Sequence, residues 1–469
     1  MEKIKGRSQT FFGSAFYYTL GVILTQGTTF ITVTVLFNRL MPPEQYNLMT
    51  LYGVYFNIFA IIEGFQAYGS INNARLDFGA EKLNAYTSAT FGLGVIGFAV
   101  LLGMFVALQN VLTEAIGFSF DIILLCLVQG FFYFVVQHLA AKYQVQNRPG
   151  PFVFWTSLVA ILRLAFSTTL VLLFVSNKYL GDVYGSSIAY GAVGIAAAVI
   201  IITRGKMVYD AKWWKYCLKI SVPLIFSALA TTALLSLDRI MMDSLSTPAE
   251  SGIYGFVYNI AIVTTGVWLA FNKPWSVWYF NKTHAGDKES ILHLFKKYSL
   301  FVTLLSVAFT LVCPEFVRVI GAQEYQSGVY TIPVLAAGCY FIFLYSFPVN
   351  FETYRQKTVY IAIGTVSAAA LNIALNFYMI PHFGGLGAAI ASLISLFMLF
   401  VFHYIIARHV IRGFEINFIR LLIPALYIFA ALAATYLFMD VWPVRWGVGV
   451  FMLVLSFRTY RQSRHIMME

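Results

Sequence analysis

The sequence has few charged residues and no long polar stretch. Only 11% of its 469 residues are Asp, Glu, Lys or Arg, whereas soluble globular proteins carry about a quarter. The mean hydropathy is +0.76, and no polar segment is long enough to form a soluble domain. The composition therefore excludes most classes of soluble enzyme and indicates a polytopic membrane protein.

Cysteine is also scarce. The four cysteines, Cys126, Cys217, Cys313 and Cys339, are far apart and lie in or beside apolar segments, so they predict neither a disulfide framework nor a metal site. The segment TRGKMV contains Gly-Lys without the spacing of a phosphate-binding loop, which argues against an ATP-driven transporter. We therefore expect no cofactor and no metal, and a gradient of H⁺ or Na⁺ as the energy source.

Fourteen apolar segments have about the length that a membrane helix needs, roughly 17–25 residues. They lie near residues 10–37, 46–68, 86–108, 119–141, 152–176, 183–203, 218–241, 252–274, 295–314, 328–350, 358–380, 386–407, 419–439 and 442–458. The last segment is the weakest, because it is short and contains Arg445.

The basic residues predict the orientation, because cytoplasmic loops carry an excess of Lys and Arg. With the N-terminus inside, 25 of the 31 basic residues fall on the inner side, five fall on the outer side, and Arg163 lies within a span. We therefore expect a multi-pass protein of the inner (cytoplasmic) membrane with both termini in the cytoplasm. The net charge of +11 then reflects topology and contact with anionic lipid, not nucleic-acid binding.

Two short motifs recur about 200 residues apart. FNRLM (37–41) and LDRIM (237–241) each stand at the end of an apolar segment, and GSSIA (185–189) is similar to GAAIA (387–391). These similarities predict that spans 1–6 are duplicated as spans 7–12. Six is an even number, so both copies would enter the membrane in the same direction, as a parallel repeat. The alternative is that short segments of small apolar residues recur by chance in a sequence of this composition.

These patterns together predict the fold class, an all-α polytopic membrane protein of about 14 transmembrane helices. Three parts are expected along the chain. They are an N-terminal six-helix lobe (1–205), a C-terminal six-helix lobe (206–415), and two additional helices with a basic cytoplasmic tail (416–469).

Matching polar stripes run along the first and seventh spans. Their members are Thr25, Thr28, Thr32 and Arg39 in the first, and Thr232, Ser236, Arg239 and Asp243 in the seventh, with Asp238 beside the second stripe. Spacings of three, four and seven residues place such side chains on one helix face, which fits a water-filled cleft lined by both spans. The alternative is that the arginines reach the outer headgroups while the hydroxyls serve helix packing.

Three other charged residues are candidates for a role inside the membrane. Arg163 lies mid-span, where a basic residue costs roughly 2.5–3.5 kcal/mol, so we expect it to bind a ligand anion or to pair with Glu63, the acidic residue deepest in a span. Glu63 is itself a candidate for proton or sodium coupling, unless it lies near the inner interface. Lys273, next to Pro274, is a candidate cavity cation; the alternative is that it belongs to an inner aromatic belt.

Four segments resemble polysaccharide and O-antigen flippases, which belong to the multidrug/oligosaccharidyl-lipid/polysaccharide exporter superfamily. They are FNRLMPPEQYNLM (37–49), YGSINNARLDF (68–78), LDRIMMDSLSTPAESGIYGFVYNIA (237–261) and ALNIALNFYMIPHFGGLGAAIAS (370–392). Asn47 stands where a Gly is usual in the family. The last segment adds Asn372 and Asn376 to the expected polar cavity face.

The resemblance implies two six-helix lobes around a cationic cavity, with two extra helices. It also implies alternating access that carries an undecaprenyl-diphosphate-linked oligosaccharide to the outer leaflet, for O-antigen, lipopolysaccharide or capsule synthesis. Arginine suits a diphosphate because its guanidinium forms bidentate hydrogen bonds. Arg39, Arg163, Arg239 and Lys273 are therefore the predicted substrate-binding cations, and Glu63, Asp238 and Asp243 are the coupling or ion-pair candidates.

The expected partners are the polyprenyl-diphosphate-linked oligosaccharide, membrane lipids and a polysaccharide polymerase machinery. The protein would be a transporter and not an enzyme. Three alternatives remain open at this point: a cation-coupled multidrug exporter of the same superfamily, a membrane glycan polymerase or ligase, and a non-transporting scaffold in envelope synthesis.

Overall fold

The computed structural model describes Gly21 and residues 24–468, without the side chains of residues 267, 269, 270, 273, 274, 277 and 462–468. These described residues form helices and turns and contain no strand. Within them, nine helices are long and apolar enough to cross a membrane, or ten if one bent pair is counted as a span. The predicted all-helical membrane architecture is confirmed.

Packing divides the described chain into two units. The first holds the residues up to Leu36 together with Leu48–Thr232, and the second holds Phe37–Asn47 and everything from Ala233 onwards. Residues 206–232 thus pack with the first unit, whereas the predicted boundary lay in the loop at residue 205. The physical reason is that one continuous helix, Ala211–Leu245, carries the chain past that loop, so the division falls inside a helix.

The helices up to this division begin with α1, which spans residues 24–40 and is wound as a π-helix at Phe30–Phe37. They continue as α2 (Pro43–Glu63), α3 (Ile71–Phe78), α4 (Leu83–Ala107), α5 (Gln109–Ile116), α6 (Phe120–Val145), α7 (Pro149–Leu173), α8 (Lys178–Gly205) and α9 (Ala211–Leu245). Helices α7 and α8 approach very closely, because a Cβ added at Gly185 would lie 2.4 Å from the backbone nitrogen of Ser167.

The remaining helices belong to the second unit. They are α10 (Pro248–Ala261), α11 (Val263–His284), α12 (Lys288–Ile320), α13 (Ile332–Tyr354), α14 (Thr358–Ile405), α15 (Phe418–Leu437) and α16 (Trp442–Met468). Helix α14 is broken at Gly384, whose φ is +54°, so it supplies the two spans predicted at 358–380 and 386–407. The single span predicted at 252–274 is instead divided between α10 and α11, which meet at Ile262.

The side chain of Thr247 caps the start of α10. The Thr247 hydroxyl accepts a hydrogen bond from the Glu250 amide at 3.3 Å, a pairing that satisfies a free donor of the first helical turn. The Glu250 carboxylate in turn accepts from the Gly385 amide at 2.9 Å. One acidic side chain therefore ties the start of α10 to the break in α14.

The segment 37–47 joins the second unit through polar contacts and one close approach. Asn47 donates to the Asp243 carboxylate at 2.5 Å and accepts from the Ser251 hydroxyl at 2.7 Å. A glycine, usual here in the resembled family, could make neither bond. A Cβ added at Gly252 would lie 1.9 Å from the Pro43 carbonyl oxygen, so α10 packs directly on this backbone.

Candidate functional site

A buried carboxylate, Asp238 of α9, lies at the centre of a polar network in the second unit. Its side chain is 1% exposed. One carboxylate oxygen accepts from the Arg239 backbone amide at 2.8 Å. The other accepts from the Tyr254 hydroxyl and, at 3.5 Å, from the Ser392 hydroxyl. Asp238 therefore binds the backbone amide of Arg239.

Two asparagines of α14 extend this network. Asn376 donates to the side-chain oxygen of Asn372 at 3.0 Å, and Asn372 donates to the Ser392 hydroxyl at 3.3 Å. Both asparagines are buried, and the side-chain oxygen of Asn376 has no hydrogen-bond partner in the described chain. We refer to Asp238, Tyr254, Asn372, Asn376 and Ser392 as the Asp238 network.

A small cavity borders this network. It is lined by Asp238, Tyr258, Cys339 and Ser392 and otherwise by apolar and small residues, with about 20 Å³ of room for the centre of a water molecule. That is enough for one ordered water, which needs roughly 10–15 Å³. Carboxylate, hydroxyl and amide oxygens are suited to hold a proton, a water or a hard cation. The described residues contain no cluster of three His, Cys, Asp or Glu side chains.

Arg239 is half-buried and lies over the ring of Tyr258, one of the residues that line this cavity. Its guanidinium sits 4.8 Å from the centre of the Tyr258 ring and donates to the Ser236 hydroxyl at 3.0 Å. Its Nε has no partner within the described residues, and no described carboxylate forms an ion pair with it. A cation held by a ring and one hydroxyl can still bind an anion.

The other predicted members of the second unit are placed differently. Arg39 is exposed and donates to the carbonyls of Val319 at 3.0 Å and Ile320 at 3.4 Å. These carbonyls end α12, where the helix dipole favours a cation. Asp243 is exposed and is engaged by Asn47. The side chain of Lys273 lies outside the described residues.

The threonines of the first stripe bond to their own helix. Thr25, Thr28 and Thr32 each donate to the carbonyl four residues earlier, at 2.9, 2.5 and 2.8 Å. Hydroxyls bonded in this way are compatible with apolar surroundings, so they do not by themselves indicate a water-filled face. Thr232 is half-buried, and Ser236 is buried.

In the first unit, Arg163 of α7 forms an ion pair with Asp182 of α8. The two groups are 3.0 Å apart, and the Asp182 side chain is only 4% exposed. Sequence reasoning named Glu63 as the ion-pair partner and missed Asp182, because Asp182 lies just before the predicted sixth span. The signal that could have found it is the adjacency of consecutive antiparallel spans, which places the start of one beside the end of the other.

Glu63, at the end of α2, is buried, and its carboxylate has no hydrogen-bond partner among the described residues. The residue is 0% exposed. A Cβ added at Gly130 of α6 would lie 2.5 Å from Oε2, so the missing side chain there makes room for the carboxylate. Helix α2 ends at Glu63, and the turn that follows has positive φ at Phe65 and Gln66.

The fold is similar to those of solved lipid flippases and transporters. "Lipid II flippase MurJ, inward closed conformation" shares 14% identity over 96% of this chain and 98% of that chain, with a TM-score of 0.62. An inward-facing multidrug resistance MATE family transporter of the MOP superfamily shares 12% identity over 84% and 98%, with a TM-score of 0.63. A MOP superfamily transporter from Pyrococcus furiosus shares 13% identity over 86% and 97%, with a TM-score of 0.57.

At these identities the structural similarity establishes the fold. Among curated protein sequences, none matches the chain significantly. The sequence profile of the family described as "Polysaccharide biosynthesis protein" matches residues 12–279, more than half of the chain. The resemblance seen in the sequence is thereby confirmed, and the chain belongs to this polysaccharide biosynthesis protein family.

Proposed function

We propose that the protein is a flippase that translocates undecaprenyl-diphosphate-linked oligosaccharide units across the cytoplasmic membrane for surface polysaccharide synthesis. The observation that carries the proposal is the combination of membership in a polysaccharide biosynthesis family with the fold of a lipid flippase. A membrane protein that serves glycan synthesis and has a transporter fold is suited to move the lipid-linked intermediate.

The chemistry of the substrate fits the surroundings of Arg239. A diphosphate headgroup needs cations with free donors, and a guanidinium binds it through paired hydrogen bonds. Arg239 donates one hydrogen bond to Ser236 and forms no ion pair with a described carboxylate. Arg163 is bound by Asp182 and Arg39 by a helix end, so we assign Arg239 the leading role in holding the diphosphate.

Coupling to an ion gradient is part of the same proposal. Glu63 and Asp238 are both buried. Glu63 has no hydrogen-bond partner within the described chain, and such a buried carboxylate must take up a proton or bind a cation to remain stable. Asp238 accepts hydrogen bonds and is acted on by the charge of Arg239. We propose that one or both alternate between loaded and empty forms as the protein exposes its substrate site to one side of the membrane and then to the other.

Deletion of the gene followed by glycan analysis tests the function. Loss of surface polymer, with accumulation of lipid-linked repeat units in the cytoplasmic leaflet, is the expected result. Complementation with the wild-type chain should restore export, and the Arg239→Ala variant, present in the membrane at the same level, should not. Normal surface polymer in the deletion strain would overturn the proposal.

A cation-coupled multidrug exporter is the second candidate, because the fold is equally similar to that of a multidrug resistance transporter. The two functions predict opposite phenotypes in the deletion strain. An exporter would leave the surface polymer intact and make the cells more sensitive to cationic drugs, whereas a flippase would reduce the polymer and leave efflux of those drugs unchanged.

A further inference from the structure

Three cations meet at one end of the first unit, where α6 ends, α7 begins and α8 ends. Lys142 lies in the last turn of α6, Arg148 directly precedes α7, and Arg204 lies in the last turn of α8. The Arg148 amide donates to the Tyr143 carbonyl at 2.9 Å, which holds the start of α7 against the last turn of α6. The charges of Arg204 and Arg148 both act on the Lys142 ammonium. The three residues belong to the side that the charge distribution of the sequence predicts to be cytoplasmic.

Lys142 is the unusual member of this cluster because it is buried. Its side chain is 1% exposed, whereas Arg148 and Arg204 are exposed. Burying an ammonium removes its hydration, and a buried charge is normally paired. The C-terminal end of α6 attracts a cation, but a helix dipole offsets only a small part of the desolvation of an ammonium.

No carboxylate of the described chain compensates this charge. Neither Lys142, Arg148 nor Arg204 forms an ion pair within the part of the chain that the structure describes. The carbonyl of Val145, at the end of α6, is occupied by another cation, Arg75. Repulsion from two guanidinium groups adds to the cost of burial, so the cluster has an excess of positive charge and lacks a counter-ion.

The N-terminus of α7 adds to the positive potential at this place. Helix α7 begins at Pro149 and runs for 25 residues, so its dipole favours an anion close to Arg148. Pro149 and Pro151 carry no N–H, so Gly150 supplies the free amide of this first turn. Two exposed guanidinium groups and a buried ammonium provide the donors that a phosphate group requires, and the helix dipole adds to their positive potential.

We propose that this cluster, Lys142, Arg148 and Arg204, is a binding site for the phosphate group of a lipid. The phosphate supplies the negative charge that Lys142 lacks, while the two arginines bind its outer oxygens. The headgroup of an anionic phospholipid and the diphosphate of a polyprenyl carrier share this chemistry. The site does not depend on the proposed transport activity, because it requires only a membrane lipid with a phosphate group.

Native mass spectrometry of the purified full-length protein tests the proposal. The probes are phosphatidylglycerol, undecaprenyl diphosphate without sugar, and diacylglycerol, which has no phosphate. We expect the wild type to retain a phosphate-bearing lipid at least about tenfold more strongly than diacylglycerol, since a hydrogen bond to a charged group has an effect of this size. The lipid that binds more tightly identifies the source of the phosphate.

Four variants connect the binding to the cluster. Lys142→Met and Arg204→Gln should each lower retention of that lipid by about tenfold or more, whereas Lys142→Arg, which keeps the charge, should retain it. Lys357→Gln, which removes an exposed cation of the second unit, is the matched control and should bind as the wild type does.

Arg204 is exposed, so its replacement leaves the fold intact and separates loss of the site from loss of structure. Equal retention of the phosphate lipids by the wild type, Lys142→Met and Arg204→Gln would overturn the proposal. Retention of diacylglycerol as strong as that of either phosphate lipid would overturn it as well. Neither result would bear on flipping, which the binding measurement does not involve.

Discussion

Arg163 and Arg239 are both arginines of apolar helices, but their surroundings differ at the level of single atoms. Arg163 is compensated by Asp182 at 3.0 Å. Arg239 has a ring and a hydroxyl as neighbours and forms no ion pair with a described carboxylate. The first is placed to stabilise the fold, whereas the second has a donor without a partner in the described chain, which agrees with the anion-binding role that we propose for it. Single substitutions can measure this difference.

Replacing Arg163 by Gln should destabilise the protein by about 3–5 kcal/mol, because it leaves the Asp182 carboxylate buried without its partner. Thermal unfolding of the purified protein in detergent measures this loss. The double variant Arg163→Gln with Asp182→Asn should recover most of it, since no charge is then left unpaired. An Arg163→Gln variant as stable as the wild type would contradict a structural role for the pair.

Replacing Arg239 by Gln should change the unfolding free energy by only about 1 kcal/mol or less, because no ion pair is broken. Export of the lipid-linked glycan should nevertheless fall to the level of the deletion strain. Surface polymer in complemented cells and the amount of protein in the membrane provide the two readouts. Wild-type export by this variant would remove Arg239 from the substrate site.

A single substitution at Glu63 tests whether transport is coupled to a proton gradient. Glu63→Gln imitates the protonated side chain, so the variant should fold, and its transport should be lost or should no longer respond to a pH gradient across proteoliposomes. Glu114→Gln, an exposed acidic residue of the same unit, is the control and should keep the response. A normal pH response by Glu63→Gln would show that the carboxylate is not the coupling group.

At the scale of helices, the contact of α10 with the first residue of α2 depends on one glycine. A Cβ at Gly252 would meet the Pro43 carbonyl oxygen at 1.9 Å, whereas nothing lies within 4 Å of a Cβ at Gly53. Gly252→Ala should therefore cost about 1–3 kcal/mol. Gly53→Ala, in the interior of α2, should be neutral or stabilise by up to about 1 kcal/mol. Unfolding midpoints of both variants provide the comparison.

Arg445 shows why hydropathy, summed residue by residue, can underestimate how well a helix is accommodated in the fold. In the sequence it weakens the last predicted span. In the structure it is 1% exposed, pairs with Glu315 through both terminal nitrogens, and donates to the carbonyls of Leu311, Phe438 and Met439. The charge therefore anchors α16 to α12, a role that depends on a partner 130 residues earlier in the chain.

The sequence predicted the helices better than their internal breaks. Gly384 lies in a Pro- and Gly-rich turn, so the division of α14 could be placed from the residue types. Ile262 has no such signal, because an apolar run continues through it on both sides. Hydropathy therefore does not locate the break between α10 and α11.

At the scale of the whole molecule, the candidate site is assembled from residues far apart in the chain. Asp238 meets Ser392, which is 154 residues later, through a contact at 3.5 Å. Helical spacing predicted the stripe on one helix, and the family resemblance supplied Asn372 and Asn376. Tyr254 was not predicted as a site residue. The residue pattern of one helix does not indicate which side chains of a second helix will contact it.

The distribution of basic residues predicts that both termini are cytoplasmic, and cysteine labelling can test this on whole cells. The native Cys126, Cys217, Cys313 and Cys339 are buried, so a membrane-impermeant maleimide should not label the wild type. Asn177→Cys, exposed between α7 and α8 on the predicted outer side, should be labelled in intact cells. Lys357→Cys, exposed on the predicted inner side, should be labelled only after permeabilisation. The reverse result would invert the topology and move the three cations around Lys142 to the outer leaflet.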